Sequence, residues 1–183
     1  LKPRVGVALN LGADHLDRHG SLAAYHGAKF RITACQDAGD LLVLNADDPA
    51  LEAWASATRA RVARFSLRRR ADAWLCGETL MLGEAALVER SDLQVVGEHG
   101  VANALAVAIA AAELGVGLPD LRSGLRAFAG VAGRYARAAQ LGRVAFVEDS
   151  IATRPLAGAA ALRASRAPVV WLAGGLDKGA DLE

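Results

Sequence analysis

The chain has 183 residues, 53% of them hydrophobic, with 21 Lys and Arg against 20 Asp and Glu. That length fits one large or two small domains, and the apolar fraction excludes a disordered chain. A formal net charge of +1 and an aromatic content of 5% argue against a broad electrostatic grip on nucleic acid and against stacking platforms for single strands.

In chain order, Val5, Val7 and Leu9 alternate with Gly6, Ala8 and Asn10, which predicts a short strand. A polar, charged turn from Gly12 to Gly20 follows, and then Ser21 as the N-cap of a helix over Leu22 to Ala34. Leu41-Leu42-Val43-Leu44 is a continuous apolar run of strand length, suited to burial on both faces. Asn45-Ala46-Asp47-Asp48-Pro49 ends it as a turn, with Pro49 at the first position of a helix reaching about Ser56 or Arg59. Between Val62 and Val96 the pattern gives two to four short strands broken by Gly77, Gly83 and the run Arg68-Arg69-Arg70, a solvated loop with phosphate binding as its alternative.

Val101 to Leu114 has the composition of a buried helix, ended by Gly115 and Gly117; a further helix runs from Leu118-Pro119-Asp120 to about Phe128. Glu113 and Asp120 keep the Ala-rich stretch below the roughly 18–20 apolar residues that a membrane span needs. Ala129 to Gly133 is small, flexible and uncharged, the best candidate for a domain boundary. Beyond it a strand at Val144–Val147, a helix at about Leu156–Ala164 and a strand at Val169–Leu172 predict a parallel pair with a right-handed crossover. Alternating strands and helices make the whole chain α/β. Cys35 and Cys76 are too few for a disulfide framework and read as buried or free thiols of a reducing, cytoplasmic compartment. The chain starts at Leu1 without a secretory signal and stops at Glu183 after a strand-and-loop pattern, so both ends read as cut from a longer protein.

Ligands in open parallel sheets sit beyond the carboxyl ends of the strands. Polar clusters fall at four such ends: Asn10–His19, Asn45–Asp48, Glu148–Arg154 and Gly174–Lys178. Asp14-His15-Leu16-Asp17 is dense in ligands suited to Mg²⁺ or Mn²⁺, or else is a helix-capping loop with a solvated histidine. Lys29 has no distinction on composition alone, since a lone helical lysine usually lies on the solvated face. Gly97 to Asn103 opens the buried helix, where free N–H groups suit an anion or a base edge. Asn103 in that apolar helix requires hydrogen-bond partners from protein or ligand. Asp149, Ser150, Thr153 and Arg154 offer groups for ribose hydroxyls and phosphate, or caps for the next helix. Gly174 to Gly179 is a glycine-rich loop with Lys178, but the phosphate-cradling pattern G-x-x-x-x-G-K-[ST] occurs nowhere in the chain.

The stretches NLGADHLDRH (10–19), YHGAK (25–29), LNADDP (44–49), GEHGVANAL (97–105), FAGVAGR (128–134), DSIAT (149–153) and GGLDKGAD (174–181) resemble, in order, the Mur ligases, the ATP-dependent amide ligases of peptidoglycan synthesis. The last two point to the D-glutamate-adding branch. The resemblance implies the later part of a central ATPase domain over residues 1–130 and the start of a Rossmann-like C-terminal domain over 131–183. The N-terminal UDP-binding domain and the phosphate loop would lie outside this chain, leaving it inactive alone. The implied partners are ATP, two Mg²⁺ ions, UDP-N-acetylmuramoyl-L-alanine and D-glutamate, with no nucleic acid or membrane and a monomeric state. His15 would ligate a second Mg²⁺, and Lys29 would be carbamylated into an anion that helps hold it. Asn103, Arg134 and Asp149 would contact nucleotide base, phosphate and ribose; Ser150, Thr153 and Lys178 would meet the incoming amino acid. Lys29, His15 and Lys178 would form the catalytic set.

Three positions depart from the family pattern: Gly100 replaces a second asparagine, Gly133 a histidine and Ile151 a lysine. Arg154, three residues later in the sequence, is expected to supply the charge lost at Ile151. The competing readings are another Mur ligase or a folylpolyglutamate-synthase-like ligase and, from a different class, a non-catalytic α/β binding module.

Overall fold

The computed structural model describes residues 2–12, 16–95, 97–153, 155–165 and 167–175. Strand β1 (Val5–Ala8) leads to the short helix α1 (Leu16–His19) and to α2 (Leu22–Phe30). Ser21 caps α2, its Oγ accepting from Ala24 N at 3.1 Å. The helix stops at Phe30, short of the expected Ala34, and tightens into a 3₁₀ turn over Arg31–Thr33. Strand β2 (Leu41–Asn45) follows, then α3 (Glu52–Ala57) and β3 (Arg61–Ser66).

The sequence between Val62 and Val96 resolves into the end of β3 and three more strands: β4 (Ala73–Cys76), β5 (Thr79–Leu82) and β6 (Ala85–Glu89). Together they make a six-stranded sheet in the order β1-β2-β3-β4-β5-β6, parallel from β1 to β4 and antiparallel from β4 to β6. The two hairpins turn on Gly77 and Gly83, with φ of +60° and +56°, at the first position of two-residue loops where a left-handed residue matches the strand twist.

The β3–β4 pair is parallel although only Leu67–Asp72 joins its strands. A parallel connection normally needs a dozen residues. Here β4 begins where β3 ends, and only Phe65↔Ala73 and Ser66↔Trp74 overlap, so the link need not return along the strand.

Each face of the sheet has its own core. Leu41, Val43, Phe65, Leu80 and Val88 pack with Val101, Ala104, Leu105, Ala108 and Ile109 of α4 (Glu98–Glu113) and with Leu121 and Leu125 of α5 (Leu118–Ala127). On the other face Ala8, Leu42 and Leu44 pack with Leu51, Trp54 and Ala60, and Phe30 meets Trp54 edge-on at 5.2 Å. Successive residues of β2 therefore serve opposite cores, as its continuous apolar run predicts. Outside the sheet, Lys2 pairs with Asp37 at 2.5 Å and Asp40 at 3.3 Å, and the bond from Lys2 holds the exposed Asp37 carboxyl below its ordinary range.

The segment after residue 130 differs from expectation. Strand β7 (Ala136–Leu141), absent from the sequence reading, pairs antiparallel with β8 (Val144–Glu148), and α6 (Pro155–Ala164) follows. The strand expected at Val169–Leu172 is not formed, so the parallel pair with a crossover is not formed either. A strand needs a neighbour for its backbone groups, and the only ladder partner of β8 among the described residues is β7. Val170 and Leu172 stay 93% and 92% exposed, without a layer to cover them. Both cysteines are free and exposed rather than buried.

The loop carrying Arg68–Arg70 is wound on one buried hydroxyl. Ser66 Oγ donates to Asp47 Oδ1 at 2.6 Å and accepts from Arg68 N and Arg69 N at 3.0 Å each. Replacing it leaves a carboxylate and two N–H groups short of partners. A Ser66→Ala variant should lose about 2–3 kcal/mol of unfolding free energy in urea titration. Trypsin should also cut it faster after Arg68–Arg70 than the parent.

Candidate functional site

The parallel strands β1, β2 and β3 all direct their carboxyl ends to one edge, and the turn after β2 organises that edge. Asp47 Oδ2 accepts from Leu67 N at 2.6 Å, so this turn holds the exit of β3. Asp48 Oδ2 accepts from Leu11 N at 2.7 Å and Asn45 Nδ2 donates to Leu9 O at 2.9 Å, so it also holds the exit of β1.

An open cleft of about 790 Å³ lies between this turn and the arginine loop. Four arginines (64, 68, 69, 70) line it, but so do the carboxylates of Asp47, Asp48, Glu52 and Asp72. Arg64 pairs with Glu52, Arg70 with Glu84, and Arg69 donates to Ala46 O. That balance favours the solvated-loop reading over a phosphate site.

Helices α1 and α2 bring His19, Tyr25, His26 and Lys29 together. Lys29 Nζ stands 4.8 Å from the centroid of the Tyr25 ring, and His19 lies 5.2 Å from that ring. The i, i+4 spacing places the ammonium on the aromatic face, a signal present in YHGAK but not read from it. His15, the expected metal ligand, lies outside the described residues, as do Arg154 and Lys178. Among the described residues no three His, Cys, Asp or Glu side chains converge on a metal position.

A second group forms at the start of α4. The segment Gly130–Tyr135 is tied to the loop after β8: Ile151 N donates to Gly133 O at 3.1 Å, and Tyr135 N donates to Asp149 Oδ1 at 3.0 Å. Tyr135 adopts a left-handed φ of +47° to make that bond. Its ring meets His99 of α4 edge-on, with centroids 6.5 Å apart. Gly97, at the N-cap of α4, lies against Ala164 of α6. The structure thus brings together Arg134, Asp149 and Ser150 beside the first turn of α4. Ser150 Oγ donates to Glu148 Oε1 at 2.7 Å, while Arg134 and Thr153 are exposed. Their side chains have no hydrogen-bond partner among the described residues.

Asn103 corrects an expectation. It lies on the exposed side of α4, opposite Gly100, Val101, Ala104 and Leu105, so its amide is open to solvent and no buried partner is required. The helix is not apolar all round; its exposed stripe of His99, Asn103 and Val107 follows the i, i+4 spacing.

The departures at Gly100, Gly133 and Ile151 acquire physical content. A Cβ on Gly100 would lie 2.9 Å from Val95 Cγ2, so Val95 fills the space of a side chain there. Gly133 has φ +73°, and a Cβ on it would lie 3.0 Å from Ile151 Cδ1 and 3.3 Å from Ser150 Oγ. The changes at 133 and 151 are therefore two sides of one contact.

This is an α/β fold with a mixed sheet and polar residues at the carboxyl edge of its parallel strands. Residues 1–111 match the Mur ligase middle domain, and the chain belongs to that family. It is 45% identical, over its full length, to a UDP-N-acetylmuramoylalanine–D-glutamate ligase from Deinococcus radiodurans, of which it covers 37%. It is 40% identical, over 98% of its length, to a protein of the same name from Pelotomaculum thermopropionicum, of which it covers 41%. Among solved structures, MurF from Acinetobacter baumannii superposes on 89% of the chain with a TM-score of 0.76 and 25% identity, the match covering 37% of that protein. The chain thus spans about two fifths of the length of the curated relatives it matches.

The contact between positions 133 and 151 is testable by a double-mutant cycle. Gly133→Ala should cost about 2–4 kcal/mol, combining a left-handed backbone with overpacking. In an Ile151→Ala background the part due to the isoleucine should be relieved, giving a coupling of about 1 kcal/mol or more in denaturant unfolding. Additive effects would show that the two side chains do not share the space.

Proposed function

We propose that this chain supplies the later part of the central domain (1–130) and the start of the C-terminal domain (131–183) of a cytoplasmic, monomeric ligase. That ligase adds D-glutamate to UDP-N-acetylmuramoyl-L-alanine in peptidoglycan synthesis. The observation that carries this reading is the likeness to D-glutamate ligases along the whole chain, through both the central sheet and the segment after residue 130.

In this reaction the γ-phosphoryl group of ATP passes to the substrate carboxylate, releasing ADP and giving an acyl phosphate. The D-glutamate amine then adds to the acyl carbon, loses a proton, and expels phosphate to leave the amide. The roles proposed for this chain's residues are those that the family resemblance implies, and the described groups are compatible with them. Asp149 uses Oδ1 for Tyr135 N and keeps Oδ2 for ribose hydroxyls. Arg134, exposed and without a partner among the described residues, is available to a phosphate. Asn103 faces outward beside His99 on α4, where a base edge can meet its amide. Ser150 and Thr153, with Lys178, are assigned to D-glutamate, the lysine pairing with a substrate carboxylate.

The residue types that follow β1 in the sequence fit Mg²⁺: Asp14 and His15 offer a carboxylate and an imidazole. Lys29 fits only in carbamylated form, since a bare ammonium over Tyr25 cannot ligate a cation. A divalent ion bound there would neutralise charge on the transferred phosphoryl group. Lys29 would hold its carbamate in place through the stem that packs on Tyr25.

In the full-length enzyme, phosphate release should require ATP and UDP-N-acetylmuramoyl-L-alanine and respond to D-glutamate. Diamino acids, or L-glutamate with a folate, should give less than about a hundredth of that rate. A preference for any of these would move the chain to another ligase of the superfamily, and no turnover would favour a binding module. Lys29→Ala should lose most activity and recover part of it with short carboxylic acids that replace the carbamate anion. Failure of every such acid would count against the carbamate.

A further inference from the structure

Among the described residues, Tyr135 is the one with a side chain that takes a left-handed backbone, at φ +47°. That conformation is unfavourable for an L residue and persists only where the surroundings hold it. Two contacts do so here. The Tyr135 N–H donates to Asp149 Oδ1 at 3.0 Å, and its ring meets His99 of α4 edge-on at 6.5 Å. The first contact has a defined place in the fold. The β7–β8 ladder opens at Ala136↔Glu148, so the next opposed positions are 135 and 149. There the Asp149 carboxylate takes the Tyr135 N–H, while the Asp149 main-chain carbonyl accepts from Ala152 N at 3.0 Å and turns the chain. Two residues further on, Ile151 N donates to Gly133 O and ties down the same loop. The carboxylate is thus held by one oxygen, on a loop whose backbone is held as well.

We propose that Tyr135 is a positioning residue for Asp149: held left-handed, its N–H sets the direction in which that carboxylate meets the ribose hydroxyls of the nucleotide. The proposal rests on the reading of Asp149 as the ribose contact. Its physical basis is preorganisation. A carboxylate free to turn about its side-chain bonds faces the hydroxyls for only part of the time, and affinity falls with that fraction. The backbone strain says which residues can hold the N–H in place. Tyrosine offsets the left-handed conformation through its ring on His99. Glycine meets no such strain, and a β-branched residue meets the most while lacking a ring to offset it.

The test reads the worth of the ribose hydroxyls rather than overall affinity. The full-length enzyme and its variants are titrated by calorimetry, without turnover, with ADP and with 2′,3′-dideoxy-ADP at one Mg²⁺ concentration. The parent should favour ADP about tenfold or more, as hydrogen bonds to a charged group do. Tyr135→Phe keeps the ring and the N–H, and Tyr135→Gly keeps the N–H without strain, so both should retain that preference. Tyr135→Val should bind the two nucleotides within about twofold of each other, and the dideoxy nucleotide as tightly as the parent does. Tyr135→Ala, with one β-carbon and no ring, should fall between, so the series decides even if Tyr135→Val does not fold. Equal weakening of both nucleotides in Tyr135→Val and Tyr135→Ala overturns the positioning role, since general destabilisation would then be the cause. An equal loss of preference in Tyr135→Gly and Tyr135→Val also overturns it, since the ring and not the held N–H would then be responsible. Asp149→Ala should erase the preference. If it does so while every Tyr135 variant keeps the preference, the ribose reading stands and the positioning role is overturned. If the parent shows no preference, or Asp149→Ala keeps it, Asp149 does not contact ribose and the positioning role falls with that reading.

Discussion

Both faces of β2 are shut off from water. Leu41 to Leu44 are exposed by 4% or less, with one core above them and another below. A polar side chain within that run would face a hydrocarbon layer without partners, at a cost of about 1–3 kcal/mol or more. The sequence therefore keeps its polar groups back until the strand ends, and then places Asn45, Asp47 and Asp48 within four residues. Because β1, β2 and β3 run parallel, the groups released at the end of β2 stand between two other strand exits. The central strand thus acts as a post to which the flanking loops are tied.

The second region is built by different means. Gly130–Tyr135 has little apolar burial, and β7 and β8 are exposed along both strands. Its order comes from a few directed bonds: Tyr135 N to Asp149 and Ile151 N to Gly133 O. Tyr135 accepts a left-handed backbone, a strain of order 1–3 kcal/mol for a residue with a side chain. The bond to Asp149 and the ring contact with His99 oppose that strain. One carboxylate oxygen of Asp149 is therefore engaged by the backbone of Tyr135.

Much of the central sheet was legible because its signals are local. The unbroken run at Leu41–Leu44, the glycines at 77 and 83 and the Ser21 cap each act within a few residues. The misreadings fall where distant partners decide. Ala136–Leu141 is rich in alanine, with no β-branched residue, and is a strand only because Val144–Glu148 lies beside it. Val169–Leu172 has the composition of a strand but no neighbour to bond. The exposed position of Asn103 is not legible because a run of alanines hides helical periodicity: alanine serves on either side of the helix. The resemblance pointed to Arg134 and Asp149, yet no spacing in the sequence shows that Tyr135 meets His99 or that Val95 fills the space at Gly100.

The packing of Gly133 on Ile151 makes the two positions dependent on one another. A β-carbon at 133 would lie 3.0 Å from Ile151 Cδ1 and 3.1 Å from its Cγ1, so the isoleucine would have to give way by a few tenths of an ångström. The φ of +73° adds a separate cost for any residue with a side chain at 133. Position 151 thus sets how much room position 133 has, and the two behave as one unit of packing: a substitution at 133 is read through its neighbour.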